Sequence, residues 1–328
     1  MTIRAVLNIL LVTFPFFALV LCGYVAARCA WLPLAAIPGL NTFVLYFALP
    51  CMLYRFGAGT PIAQLLDGSV LAVYLPCALL MVGLTIAVTL QRPALGQGRI
   101  GWNDAAFGAL VATFPNTGFM GVPLLVALLG AGAAGPAILT IAIDMLVTSS
   151  LCIALSRLDS ADEHGFARAG RLALKGVLAN PLPWSIALGA LASGAGFALP
   201  KPVMGTVSLL ADAASPVALF TIGAVLARSQ INSTTRTPTG HYVPVSLIKL
   251  VVHPLLVGAV GLGAIRLGLP LDTFSLTVLV LVAALPSASN VAILAERFGA
   301  DNGRIARIIL LSTVLAFFSF SAVVALLV

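Results

Sequence analysis

Apolar runs of about bilayer length follow one another along the chain from residue 6 to residue 327. A helix that crosses a hydrocarbon core needs about 20 predominantly apolar residues. Ten stretches reach that length: 6–27, 36–56, 66–90, 104–129, 136–156, 176–197, 202–227, 243–265, 273–296 and 304–327. Polar positions gather between them. The longest polar gap, "SRLDSADEHGFARAGRLALKG" at 156–176, leaves five spans on either side, and "RSQINSTTRTPTGH" follows the seventh. The pattern predicts an all-α polytopic membrane protein with ten transmembrane helices. Its parts are a first five-helix unit at 1–157, a cytoplasmic linker at 158–175 and a second five-helix unit at 176–328.

Composition agrees and removes other classes. Charged residues are 8% of the chain and hydrophobic ones 61%, against about 25% charged in an ordinary soluble domain. The net charge is +7, but the basic residues stand singly between apolar runs. Nucleic-acid binding would require a basic stripe on a polar domain, so no nucleic-acid partner is expected; the lipid bilayer is. Alternate loops divide the Lys and Arg unequally, with twelve after the odd-numbered spans and four on the other side. Cytoplasmic loops carry the excess of basic residues, so both termini should face the periplasm. The cysteines Cys22, Cys29, Cys51, Cys77 and Cys152 show no CxxC or His-paired spacing, which points to small buried hydrophobes and to no metal or cofactor.

Five spans per half give the two halves opposite orientations in the membrane. Prolines recur at matching places: Pro50 in "YFALPCML" with Pro216 in "AASPVALF", and Pro115 with Pro286, at offsets of 166 and 171 residues. Paired, interrupted spans in corresponding places of two inverted repeats are the sequence pointer to a transporter's binding site. The interruptions are "FPNTGFMGVP" at 114–123 and "LPSASN" at 285–290. Proline lacks an N–H and its ring strikes the carbonyl of residue i−4, so Pro115, Pro123 and Pro286 free the carbonyls of Val111, Phe119 and Val282. Irregular backbone at membrane depth persists only when it is buried in protein or lines a wet cavity. Asn116, followed by Thr117 and Gly118, reads as the N-cap of a second half-helix, and Ser287, Ser289 and Asn290 offer the same chemistry on span nine. Half-helix N-termini attract anions. Crossing at their breaks, spans four and nine would bring two such ends and two asparagine amides together around a carboxylate.

The motifs "PNTGFMGVPLL" and "LPSASNVAILAERFG", with "NTFVLYFALPCMLYRFG" at 41–57 and "IKLVVHPLL" at 248–256, resemble the auxin efflux carrier family. The resemblance is to its bacterial branch of malonate and organic-acid permeases and covers essentially the whole chain. It implies a secondary transporter of small organic anions, mono- or dicarboxylates such as malonate, in the bacterial inner membrane. It further implies that Asn116 and Asn290 hold the substrate carboxylate where helices four and nine cross. Spans 1, 2, 6 and 7 would form a scaffold, often dimeric, beside a moving domain of spans 3–5 and 8–10 that works as an elevator. The plant carriers have a long central hydrophilic loop where this chain has about twenty residues, so auxin itself is not the expected substrate.

Ionisable groups inside spans are functional by default, because each costs about 2.5–3.5 kcal/mol at the bilayer centre on insertion scales. Asp144 lies in "TIAIDMLVTSS", near Thr140, Thr148, Ser149 and Ser150. It would suit a proton or, with hydroxyl oxygens, a sodium ion as coupling partner. Lys249 and His253 share a helix face at i and i+4, within reach of Asp144 or of a diacid's second carboxylate, or with Lys249 snorkelling to the interface. Asp212, four residues before Pro216, reads as structural. Two alternatives stay open: a sodium-coupled symporter of the bile-acid-transporter type, and an intramembrane aspartyl enzyme using Asp144 and Asp212. Neither aspartate sits in GxGD, and no GxSxG or GxxxxGK[ST] is present, so enzymatic and ATP-driven readings find no motif.

The basic asymmetry makes a direct prediction. A single cysteine at position 163 of a cysteine-free variant should be labelled only from the cytoplasmic side. Periplasmic labelling there would overturn the topology and the inverted repeat together.

Overall fold

The computed structural model describes residues 3–91, 100–158, 181–232 and 237–328, together with Arg171 and Leu178. Twelve helices carry the fold: α1 (Ile3–Arg28), α2 (Leu34–Gly59), α3 (Gly68–Gln91), α4 (Trp102–Thr113), α5 (Thr117–Leu129), α6 (Ala131–Leu155), α7 (Pro181–Ala195), α8 (Lys201–Asn232), α9 (Thr239–Arg266), α10 (Thr273–Ala284), α11 (Asn290–Arg297) and α12 (Asn302–Leu327). Among the described residues no strand forms, and seven helical stretches are long and apolar enough to cross a membrane. The predicted spans four and nine are each in two pieces, α4 with α5 and α10 with α11. Nearly all of the predicted linker at 158–175 lies outside the described residues.

Proline alone does not account for the two interruptions. Pro15, Pro76 and Pro216 sit inside unbroken α1, α3 and α8. Pro50, Pro123 and Pro254 each follow a five-residue π-turn by one residue, after Val44–Ala48, Thr117–Gly121 and Ile248–Val252. The wider turn shifts the carbonyl that the pyrrolidine ring would otherwise strike. Of the prolines within the predicted spans, among the described residues, Pro115 and Pro286 are the ones where the chain leaves the helix, and there each break has the other as its partner. Side chains cap the starts of α10 and α12: Asp272 Oδ1 accepts from Ser275 N at 2.8 Å and Asp301 Oδ1 from Arg304 N at 2.9 Å, satisfying N–H groups that have no intrahelical acceptor.

Helix contacts concentrate in two neighbourhoods, which α1 joins by also packing on α12 and α5. In one, α1 packs on α8, and α2 packs on both α7 and α8. In the other, α3 packs on α4, α6 and α9, while α9 and α12 flank α10. Without a hydrophobic drive between helices in lipid, close backbone approach over small residues does the packing. A Cβ on Gly23 would stand 1.8 Å from the Phe220 carbonyl oxygen, and one on Gly223 would stand 1.8 Å from that of Val20. Gly189 similarly meets α2, with a Cβ there falling 2.8 Å from the Tyr54 carbonyl oxygen.

Because these neighbours are backbone, they cannot rotate away. Gly23→Ala should therefore destabilise the protein by about 1–3 kcal/mol, the range for overpacking, read as a lower unfolding temperature in detergent. Gly205→Ala, on α8 with nothing within 4 Å, should not. Equal stability of both variants would contradict the α1–α8 contact.

Candidate functional site

The two breaks meet as a short antiparallel bridge between Pro115 and Ser287. Asn116 N–H donates to the Pro286 carbonyl at 2.8 Å, and Ala288 N–H donates to the Phe114 carbonyl at 3.0 Å. Each interruption thus supplies part of the backbone pairing that the other has lost. Leu285 and Phe114 are extended, at ψ 155° and 104°, as the residue before a proline prefers to be. Asn116 occupies the N-cap position of α5, but its side chain makes no capping bond. Its carbonyl oxygen accepts from Met120 N and Gly121 N at 3.1 and 3.0 Å instead. That corrects the capping role expected for its amide and leaves the amide to face the cavity.

Around this bridge, polar atoms are buried without a hydrogen-bond partner: Thr117 Oγ1, Ser287 Oγ and Asn290 Oδ1. Buried polar groups are nearly always paired, and these three lie together at the crossing. Asn116 and Asn290 line a cavity of about 20 Å³ there, with Gly118 and the apolar side chains of Leu49 and Leu182 among its other walls. That volume holds about one water molecule, so the site is nearly closed. Leu49 belongs to α2 and Leu182 to α7, which places the crossover against the other helix neighbourhood. Ser289 lies half-buried beside Asn290. Two larger hollows, of about 570 and 510 Å³, have no charged lining residue and lie on apolar helix faces away from the crossing.

Asp144, Lys249 and His253 are all fully buried. Tyr74 on α3 donates its hydroxyl to Asp144 Oδ2 at 2.8 Å, and Thr148 Oγ1 donates to Asp144 Oδ1 at 3.1 Å. Ser149 Oγ turns to the Asp144 carbonyl at 2.9 Å, whereas Thr140 bonds the Ala137 carbonyl. Lys249 Nζ lies 2.9 Å from His253 Nδ1 and donates to the Ala283 carbonyl at 3.0 Å. The Tyr74 and His253 rings stand 6.1 Å apart and join the two groups. Asp144 and Lys249 are not an ion pair within 4 Å, whereas Arg55 and Asp212 pair at 2.7 Å. Both Asp144 and Lys249 begin or occupy π-turns, Asp144–Thr148 and Ile248–Val252, a feature frequent at functional sites.

Sequence reasoning missed three participants. Tyr74 carried a signal, since a tyrosine deep in an apolar span needs a partner for its hydroxyl. Ser312, whose Oγ accepts from Ser287 N at 3.2 Å, carried none. Arg304, at the first position of the predicted tenth span, was counted with Arg297 and Arg307 among the basic residues that follow span nine. It is 2% exposed within α12, where its Nε bonds the His241 carbonyl and one Nη bonds the Asp104 carbonyl, both at 2.8 Å. There it ties α12 to α9 and α4.

The chain is similar to known membrane transport proteins. Residues 9–324 match the family described as membrane transport protein. A proposed malonate transporter of Rhizobium meliloti is 29% identical over 309 residues, 92% of this chain and 90% of its own length. A transporter of Methanothermobacter thermautotrophicus is 26% identical over 307 residues, 92% of each chain. The transporter YfdV of Escherichia coli is 27% identical over 196 residues, 60% of this chain and 59% of its own. An all-helical chain with seven helical stretches able to cross a membrane and a match across nearly its whole length is an integral membrane protein, and it belongs to the membrane transport protein family, the auxin efflux carrier family that its crossover motifs resemble.

Proposed function

We propose that this protein is a secondary transporter of small organic anions that binds a carboxylate where the two interrupted helices cross. The observation that carries the reading is the small cavity at the crossing lined by both Asn116 and Asn290, with the unpaired hydroxyls of Thr117 and Ser287 in the adjoining residues of the two breaks. Amide and hydroxyl donors beside helix N-termini are the chemistry that replaces a carboxylate's water. Malonate enters as a candidate through the Rhizobium meliloti relative.

The finer architecture is part of this proposal. Ten spans result if α4 with α5, α10 with α11, and α7 are each taken as one crossing. The glycine contacts support an inverted repeat: Gly23 and Gly189 are 166 residues apart, as are Gly57 and Gly223, and as are Pro50 and Pro216. The contact of α1 with α8 at Gly23 and Gly223 then corresponds to the contact of α7 with α2 at Gly189 and Gly57. Helices α1, α2, α7 and α8 would be the scaffold, and α3–α6 with α9–α12 the moving elevator domain, alternating access with both termini periplasmic in a bacterial inner membrane. Asp212, whose side chain is 68% exposed in its pair with Arg55, favours a scaffold-to-scaffold homodimer. A second copy would cover a charge pair that lipid would not tolerate.

Asn116→Ala or Asn290→Ala should each weaken binding of the transported carboxylate by about 1–3 kcal/mol, the scale for a lost hydrogen bond to a charged group. Isothermal titration with malonate and small monocarboxylates measures this. Parent-like binding by both variants would move the site elsewhere.

For coupling, we assign Asp144, with Tyr74 and Thr148 as its hydrogen-bond partners, as the group that carries a proton or contacts a sodium ion. Asp144→Asn should abolish gradient-driven uptake in proteoliposomes, under imposed pH and sodium gradients in turn, and leave exchange at equal concentrations partly intact. Unchanged gradient-driven uptake would remove Asp144 from the mechanism. The aspartyl-enzyme reading has less support, since Asp212 bonds Arg55 and Asp144 bonds Tyr74.

A further inference from the structure

Helix α10 ends at Ala284, so its last carbonyls lack the N–H groups that a continuing helix would supply. The replacement partners can be followed one by one. The Val282 carbonyl accepts from Leu285 N at 3.1 Å. Ala283 would have been served by Ser287 N, which donates to Ser312 Oγ at 3.2 Å. Ala284 would have been served by Ala288 N, which donates to the Phe114 carbonyl at 3.0 Å. The Ala283 carbonyl is met from another helix altogether, by Lys249 Nζ of α9 at 3.0 Å.

Lys249 has no exposed surface and lies beyond 4 Å of any described carboxylate. A buried cation in that position needs a reason. A helix C-terminus provides one, since the ammonium meets both a free carbonyl and the negative end of the helix dipole. His253 Nδ1 on α9 lies 2.9 Å from the Lys249 ammonium, the Tyr74 ring of α3 stands beside that imidazole, and Tyr74 in turn bonds Asp144 of α6, the carboxylate of the same buried layer. Arg304 of α12 is engaged elsewhere, at the His241 carbonyl near the start of α9.

We propose that Lys249 is a positioning residue for the crossover: its ammonium supplies the hydrogen bond that the break at Pro286 removes from Ala283, and so fixes the direction in which α10 delivers Ser287 to the bridge and Asn290 to the cavity. Asp144 then acts on the site at second hand, by balancing the charge of Lys249. The consequence for solute binding rests on the crossover being the binding site; the capping itself does not.

Hydrogen–deuterium exchange on the purified full-length protein separates the two. Lys249→Met should speed exchange of the amides of residues 287–291 by about tenfold or more, the loss of one charge-assisted bond, with α1 and α8 unchanged. Lys249→Arg, which keeps a cation and its donors, should return those amides close to the parent rate. Should Lys249→Met not fold alone, the Lys249→Met/Asp144→Asn double variant, with no buried charge left unbalanced, is compared with Asp144→Asn for the same difference. Unchanged exchange at 287–291, or a rise spread equally over α1 and α8, overturns the proposal. Faster exchange with parent-like carboxylate affinity supports the cap and counts against the crossover as the binding site.

Discussion

The structure depends on one exchange of backbone hydrogen bonds. Hydrocarbon offers no water to a carbonyl or an N–H that leaves a helix, and each such group costs several kcal/mol unpaired. Two spans leave their helices here at the same place, and each repairs the other: Asn116 N–H with the Pro286 carbonyl, Ala288 N–H with the Phe114 carbonyl. Neither interruption is affordable by itself. Paired, they free side chains rather than backbone, and the orphaned atoms of Thr117, Ser287 and Asn290 collect beside the bridge. The same prolines in α1, α3 and α8, with no partner break, stay inside continuous helices. The crossing is therefore a property of the pair and not of either motif.

The second constraint is the placement of charge. Asp144, Lys249 and His253 are buried without exposed surface, and a lone buried ion would be strongly destabilising. They persist because hydroxyls, a ring nitrogen and a freed carbonyl share the task. Since one of those partners is the Ala283 carbonyl, the charged layer and the crossover are physically continuous. Coupling between an ion and a solute requires that kind of continuity, because each must alter the free energy of the other's site.

Much of this was legible in the sequence. The interrupted spans were visible because proline, asparagine and glycine in an apolar run have few structural uses, and Asp144, Lys249 and His253 were visible because charge in a span is costly. Their meeting through Tyr74 was not, since tyrosine also serves as an ordinary apolar residue. The Ala283 carbonyl and Ser312 Oγ could not be found at all: a backbone oxygen has no residue type, and a span serine normally bonds its own helix. Arg304 misled for the opposite reason. Its position at a predicted loop edge suggested solvent, whereas two backbone carbonyls hold it inside. The amide of Asn116 was placed in the right element but given the wrong task, because its backbone carbonyl, and not its side chain, takes the first N–H groups of α5.

Counterflow tests the central claim most directly. Proteoliposomes loaded with unlabelled malonate or a small monocarboxylate are diluted into a trace of the labelled solute, and internal label is followed in time. A carrier with a saturable crossover site gives a transient overshoot above equilibrium, and the Asn116→Ala/Asn290→Ala double variant loses it. Simple equilibration without overshoot for every carboxylate tried, or an overshoot untouched in the double variant, would contradict the account.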